Sequence, residues 1–236
     1  MNVNEVIANR ALEILGKKKG AYQFLHPNDD VNLGQSTNDV FHSAIHMAAY
    51  EVLFSQLIPS LDALEKELRK KSQQWKQITK SGRTHLRDAV PMTLGQEFSG
   101  YASIINNHRK MIEESGKQLL HLNLGGTAIG TSINAPLSFQ KKMIRELHHL
   151  TRRNYTQTSN LFGGTQSLSA IATVSGALKN LSCDLIKIAN DIRLLSSGPT
   201  TGINELTLPA LQPGSSIMPG KVNPVLAEML DMVCFQ

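Results

Sequence analysis

Eight apolar residues, Ile171, Val174, Leu178, Leu181, Leu185, Ile188, Ile192 and Leu195, follow one another at alternating steps of three and four without a break. A run with that mean spacing of about 3.5 residues places all its side chains on one side only as an α-helix, and covering it needs a second helix lying nearly parallel. The stripe is the seam of a helical bundle and carries no chemistry. The same phase recurs at Phe41, Ile45, Ala48 and Val52, then at Leu57, Leu61, Leu64 and Leu68, which predicts one long helix over about residues 39–72. Tyr101, Ile105, Ile112, Leu119 and Leu122 share a face of another, over about 93–122. Shorter helices are predicted at about 3–16, ended by Gly16 and Gly20, at 137–150 after Pro136, and at Val222–Gln236. The fold class is therefore all-α, a long-helix bundle. Aromatic residues make up only 5% of the chain, with Trp75 the single tryptophan, and this suits an aliphatic bundle better than a β-sandwich.

The 236 residues carry 24 Lys and Arg against 19 Asp and Glu, a mild positive surplus. Its one basic run, Lys17-Lys18-Lys19, sits where a helix would end, beside the carbonyl end of the dipole, and no aromatics interleave with it. No nucleic-acid partner is expected. No run of 18 apolar residues occurs, so no membrane span is expected either. Two cysteines, Cys183 and Cys234, cannot make a disulfide framework, which points to a reducing, cytoplasmic setting. Without a CxxC, Cys/His cluster or HExxH pattern, neither a metal nor a cofactor is expected. No repeat or domain boundary is visible. Both ends look cut, the first residues entering a helix with no cap and the last ending in one with no stop signal, so 1–236 reads as one domain of a longer chain.

Four stretches interrupt the helical pattern: Leu25–Asn38, Lys80–Pro91, Asn123–Pro136 and Ser196–Pro224. The first holds His26, Asn28 and Asp29, then Ser36-Thr37-Asn38 directly before a helix. Short hydroxyls and amides there either cap the helix or, with its exposed N–H groups, bind a carboxylate. The second contains Thr84-His85, able to donate to an anion or relay a proton, although a lone histidine near a helix start is commonly structural. The third, Gly125-Gly126-Thr127-Ala128-Ile129-Gly130-Thr131, lacks the strand and lysine of a phosphate loop; its glycines suit a tight turn. The fourth is long, rich in Gly, Pro, Ser and Thr like a mobile lid, and contains Ser215, Lys221 and Asn223. No GxSxG elbow is present, and the lack of strands also argues against a hydrolase frame.

Gly214-Ser215-Ser216-Ile217-Met218-Pro219-Gly220-Lys221-Val222-Asn223-Pro224 resembles the signature of the aspartase/fumarase superfamily, and His26–Asp39, Gly82–Glu97, Gly125–Thr131 and Asn2–Ala11 resemble it in order and spacing. The resemblance implies the central helical bundle of that fold, lacking the family's N-terminal region and C-terminal helices, and a homotetramer whose active sites are shared between subunits. The implied reaction is reversible elimination from a four-carbon dicarboxylate through an aci-carboxylate, yielding fumarate. Ser215 would be the base, Lys221 and Asn223 would hold the substrate carboxylates, and Ser36, Thr37, Asn38 and Thr84 would bind the same dicarboxylate. Glu228 would orient and charge His85. His26, Asn28 and Asp29 match a secondary dicarboxylate site near the entrance.

The chain departs from the family pattern at Thr200 and Gln23, where arginine is usual in relatives or in some of them, and at Arg87, where glutamine is usual. The first two weaken accessory anion contacts. Gln35-Ser36-Thr37-Asn38, Leu194–Pro199, Leu208–Pro213 and Val233-Cys234-Phe235 resemble aspartases, whereas Gly125-Gly126 and Phe98–Tyr101 are closer to fumarases. The expected activity is ammonia elimination from L-aspartate. The alternatives are hydration of fumarate to L-malate and a non-catalytic, oligomerising helical fragment.

Overall fold

The structure is a computed structural model and describes residues 2–236. In chain order its elements are α1 (Asn2–Ile14), α2 (Thr37–Val52), α3 (Ile58–Gln74), a hairpin of β1 (Thr79–Thr84) and β2 (Arg87–Thr93), α4 (Leu94–Lys117), β3 (His121–Leu122), α5 (Leu137–Thr151), β4 (Thr156–Gln157), α6 (Leu161–Gln166), α7 (Ser169–Leu195) and α8 (Val225–Phe235). These elements make up two compact units, Met1–Leu53 with Ser115–Ala172, and Phe54–Glu114 with Thr173–Gln236.

The helix predicted over 39–72 is interrupted. α2 gives way to a π-turn, Leu53–Leu57, before α3 begins. Pro59, in the first turn of α3, has no N–H and its ring would press on the carbonyl four residues back, so the helix widens there. Both apolar stripes keep their helical period, but only one is covered. α2 buries Asp39 and Ser43, while Phe41, Ile45 and Val52 face outward. Periodicity fixes the element; which face is covered depends on its neighbours.

In the first unit, Leu122, Leu124 and Tyr155 form a small core with Val40 and Met47 of α2 and Met143, Ile144 and Leu147 of α5. β3 and β4 pair in parallel across it. In the second unit the α7 seam behaves as predicted: Val174, Leu181, Ile188 and Leu195, one heptad apart, are buried, with Leu178, Leu185 and Ile192 half-buried. Leu61 and Leu68 of α3 and Phe98, Tyr101, Ile105 and Ile112 of α4 are buried in the same unit. Polar ties add direction. Tyr101 donates to Asp191 at 2.7 Å, and His108 Nε2 lies 2.6 Å from Asp184, linking α4 to α7.

The β1–β2 hairpin corrects the expectation of a strandless break. β1 reads Thr-Lys-Ser-Gly-Arg-Thr, with no apolar alternation, and β2 contains Pro91, so neither announces itself. The tip is His85-Leu86, both at positive φ (53° and 61°) between the paired Thr84 and Arg87. A two-residue hairpin turn needs those dihedrals and usually takes Asn-Gly; here a histidine and a leucine accept the strain.

Candidate functional site

The start of α2 is a capping box. Ser36 Oγ accepts the Asn38 N–H at 3.2 Å, and Asp39 Oδ1 accepts the Ser36 N–H at 2.9 Å. The cap reading of this stretch is therefore correct for Ser36, with Asp39 completing it. Asp39 does more. Only 1% exposed, it turns Oδ2 to the N–H groups of Gly125 and Thr127, at 3.1 and 2.9 Å. Asn38 Nδ2 donates to the Ala128 carbonyl at 2.8 Å, and Asn123 Nδ2 to the Asn38 carbonyl at 3.1 Å. The glycine-rich turn is thus clamped onto the helix start. Gly125 has φ +85°, and a Cβ there would lie 2.4 Å from Gln140 Cγ, so the residue serves a tight turn, as its sequence suggested. Thr127, β-branched and at φ +56°, is held in a strained backbone by the same carboxylate.

A cavity of about 560 Å³ opens beside this turn. It is lined by Asn28, Asp29, Gln35, Ser36, Thr127 and Thr131, among others. One predicted substrate-binding residue and two of the predicted secondary-site residues therefore share a cavity. Thr37 and Asn38 are exposed at the helix start. His26 caps the π-turn Pro27–Val31: its Nδ1 accepts the N–H groups of Asn28 and Asp29 at 3.3 and 3.2 Å, which leaves Nε2 as the protonated nitrogen of the neutral ring.

In the second unit, Thr84 and His85 stand exposed at the hairpin tip. His85 lines a cavity of about 370 Å³ with Lys80, Arg83, Glu97, Lys187 and Asp191. The long segment Ser196–Pro224 contains no helix or strand among the described residues, yet it is tied down. Asn223 Nδ2 donates to the Gly214 carbonyl at 3.0 Å and closes the Ser215 loop at its base. Inside that loop, Ser215 Oγ accepts the Ile217 N–H at 3.3 Å, and Ser215 and exposed Lys221 line a cavity of about 400 Å³. Glu228, in the first turn of α8, lies 3.9 Å from Arg193; among the described residues it makes no hydrogen bond to His85 of its own chain.

Sequence reasoning missed Asp39, Asn123, Lys80, Glu97 and Glu205. A signal existed for two. Asp39 stands three residues after Ser36, the spacing of a capping box, and Glu205 is the only acidic residue in Ser196–Pro224. Among the described residues, no group of three or more His, Cys, Asp or Glu is placed to hold a metal ion, and no helix is long and apolar enough to cross a membrane.

A family model described as lyase matches residues 1–236. The chain belongs to the lyase family. Its likeness to individual lyases is even-handed: 49% identity to an aspartate ammonia-lyase and 50% to a class II fumarate hydratase, both of Helicobacter pylori, over all of this chain and about half of each relative (50% and 51%). Among solved structures, a fumarate lyase:delta crystallin from Brucella melitensis bound to cobalt matches with TM-score 0.95 at 48% identity, over 100% of this chain and 51% of that one. A class II fumarase from Schistosoma mansoni matches with TM-score 0.94 at 39% identity, over 99% and 52%. The fold is that of these helical lyases. This lyase chain spans about half the length of the curated relatives it matches.

Proposed function

We propose that the protein containing this chain catalyses the reversible elimination of ammonia from L-aspartate to give fumarate. The carrying observation is the loop Gly214–Asn223, in which Ser215 and Lys221 share one cavity and Asn223 closes the base, in a chain about half identical to both kinds of elimination enzyme. Ser215 takes the proton from the carbon next to one carboxylate. Its hydroxyl already accepts an N–H from Ile217, and that donor lowers the cost of the alkoxide. Lys221 faces the charge that grows on the aci-carboxylate. Ser36, Thr37, Asn38 and Thr84 hold the dicarboxylate, and His26, Asn28 and Asp29 form a secondary site for it. His85 works in the same site with Glu228 supplied by another subunit, since within one chain Glu228 lies against Arg193. Residues 1–236 act as the central domain of a homotetramer. The outward apolar residues of α2 and of α8 (Leu226, Met229, Met232, Val233 and Phe235) give such an assembly its contact faces.

A second reading is hydration of fumarate to L-malate, favoured by the 50% identity to a class II fumarate hydratase. Absorbance of fumarate in the ultraviolet, followed with L-aspartate and L-malate separately, separates the two. Product from aspartate alone is the expected result; product from malate alone would make the enzyme a hydratase. Ser215→Ala should lose turnover and keep dicarboxylate binding, and wild-type rates from it would remove Ser215 as the base.

A further inference from the structure

Between Ser196 and Pro224 the only charged side chains are Glu205 and Lys221. Lys221 belongs to the Ser215 loop. Glu205 lies upstream of it, and its carboxylate meets two cations of β1. Its Oε1 accepts from Arg83 Nη2 at 2.6 Å, and its Oε2 lies 2.7 Å from Lys80 Nζ, which in turn is 2.5 Å from Glu97 Oε2. The side chains of Lys80 and Glu205 are only 6% and 19% exposed. Two cations and two carboxylates make the cluster neutral, and a buried cluster of this kind is strongly unbalanced by loss of one member. Burial pushes the Glu205 carboxyl up, but hydrogen bonds from Arg83 and Lys80 outweigh it and hold the group below the usual carboxylate range, so it is ionised at neutral pH.

The ends of this bridge are specific places. Arg83 lies on β1 directly before Thr84, the last residue of the strand, and the tip residue His85. Lys80 and Arg83 are three apart, which an ideal strand would send to opposite faces. Opposite Gly82, however, β2 carries two residues, Ala89 and Val90, and a bulge of that kind bends and twists the ladder. Both cationic heads converge on Glu205. On the other side, the N–H groups of Glu205 and Leu206 both donate to the Leu195 carbonyl, at 2.8 and 3.1 Å, pinning this stretch to the end of α7.

We propose that Glu205 is a positioning residue: through Arg83 and Lys80 it fixes the hairpin tip bearing Thr84 and His85 to the stem of the loop bearing Ser215, Lys221 and Asn223, without touching substrate. Its kinetic consequence rests on the elimination reading above; the mechanical linkage does not. The full-length protein with Glu205→Gln is therefore compared with wild type in two ways. Hydrogen–deuterium exchange in peptides spanning 79–93 and 196–224 should quicken roughly tenfold, with α4 and α7 unchanged. The kcat for fumarate formation should fall roughly 10- to 100-fold, with KM within about threefold. Arg83→Gln combined with Glu205→Gln should be no worse than the more damaging single change, because the two act through one contact. Glu205→Asp, which keeps the charge, should recover part of the rate.

Unchanged exchange in the two peptides overturns the proposal. So do additive kinetic losses in the double variant. Loosening of α4 and α7 in both Glu205→Gln and Glu205→Asp would make Glu205 a general stabiliser and overturn it as well. If the wild-type protein forms fumarate from neither L-aspartate nor L-malate, the elimination reading fails, and the exchange measurement alone still decides the linkage.

Discussion

The Ser36 turn and the Ser215 loop are both irregular segments rich in hydroxyls, but they are held by different means. At Ser36 the backbone is satisfied locally: a capping box fixes the helix start, and one buried carboxylate gathers three N–H groups. Around Ser215 the backbone closes on itself through one side chain, Asn223, and the charged anchor of the segment leading into it is Glu205. The first arrangement spreads its constraint over a helix terminus and a glycine turn. The second concentrates it in a few polar contacts and one tight approach of backbone to backbone. A region of the first kind should lose stability when damaged, and a region of the second kind should lose geometry.

Gly214→Ala gives the largest expected effect. A Cβ there would lie 2.1 Å from the Lys221 carbonyl oxygen, which cannot yield without reopening the loop. Turnover should drop by at least about 100-fold, while the urea midpoint stays near that of wild type; the steady-state rate and an unfolding curve check both halves. Asp39→Asn should do the reverse. It presents an amide to groups that need an acceptor and should cost about 2–3 kcal/mol, read as a lowered urea midpoint. A variant that kept wild-type stability would break the contrast. Leu86→Asn is the gentlest. Asparagine tolerates positive φ better than leucine, so the hairpin should gain about 0.5–1 kcal/mol, measured as a raised melting temperature. A fall would show that Leu86 makes a contact worth more than its strain.

The helices were legible because a 3-4 apolar phase can mean little else, and the α7 stripe was the clearest instance. The coverage of α2 was not, because Phe41 and Ile45 look the same in sequence whether or not anything packs on them. The hairpin escaped because its strands are polar and its tip lacks the usual turn residues. Within the candidate site, Ser36, Ser215, Lys221 and Asn223 stood out as reactive or polar types in helix-breaking text. Glu205 and Asp39 offered only weak local signals, a lone acidic residue and a capping-box spacing, since the partners that give them their importance lie 122 and 88 residues away.

That second separation has a consequence for how the chain is made. Asp39 leaves the ribosome long before Gly125 and Thr127, whose N–H groups it will accept. At bacterial-to-eukaryotic synthesis rates the 88-residue gap to Thr127 lasts roughly 4–18 s. Throughout that interval Oδ2 of the carboxylate must stay in water, although Oδ1 can already close the capping box with Ser36 at the start of α2. The first unit cannot close until its later half emerges, so the order of synthesis, and not the strength of any contact, sets the earliest moment at which the glycine-rich turn can be clamped onto the helix start.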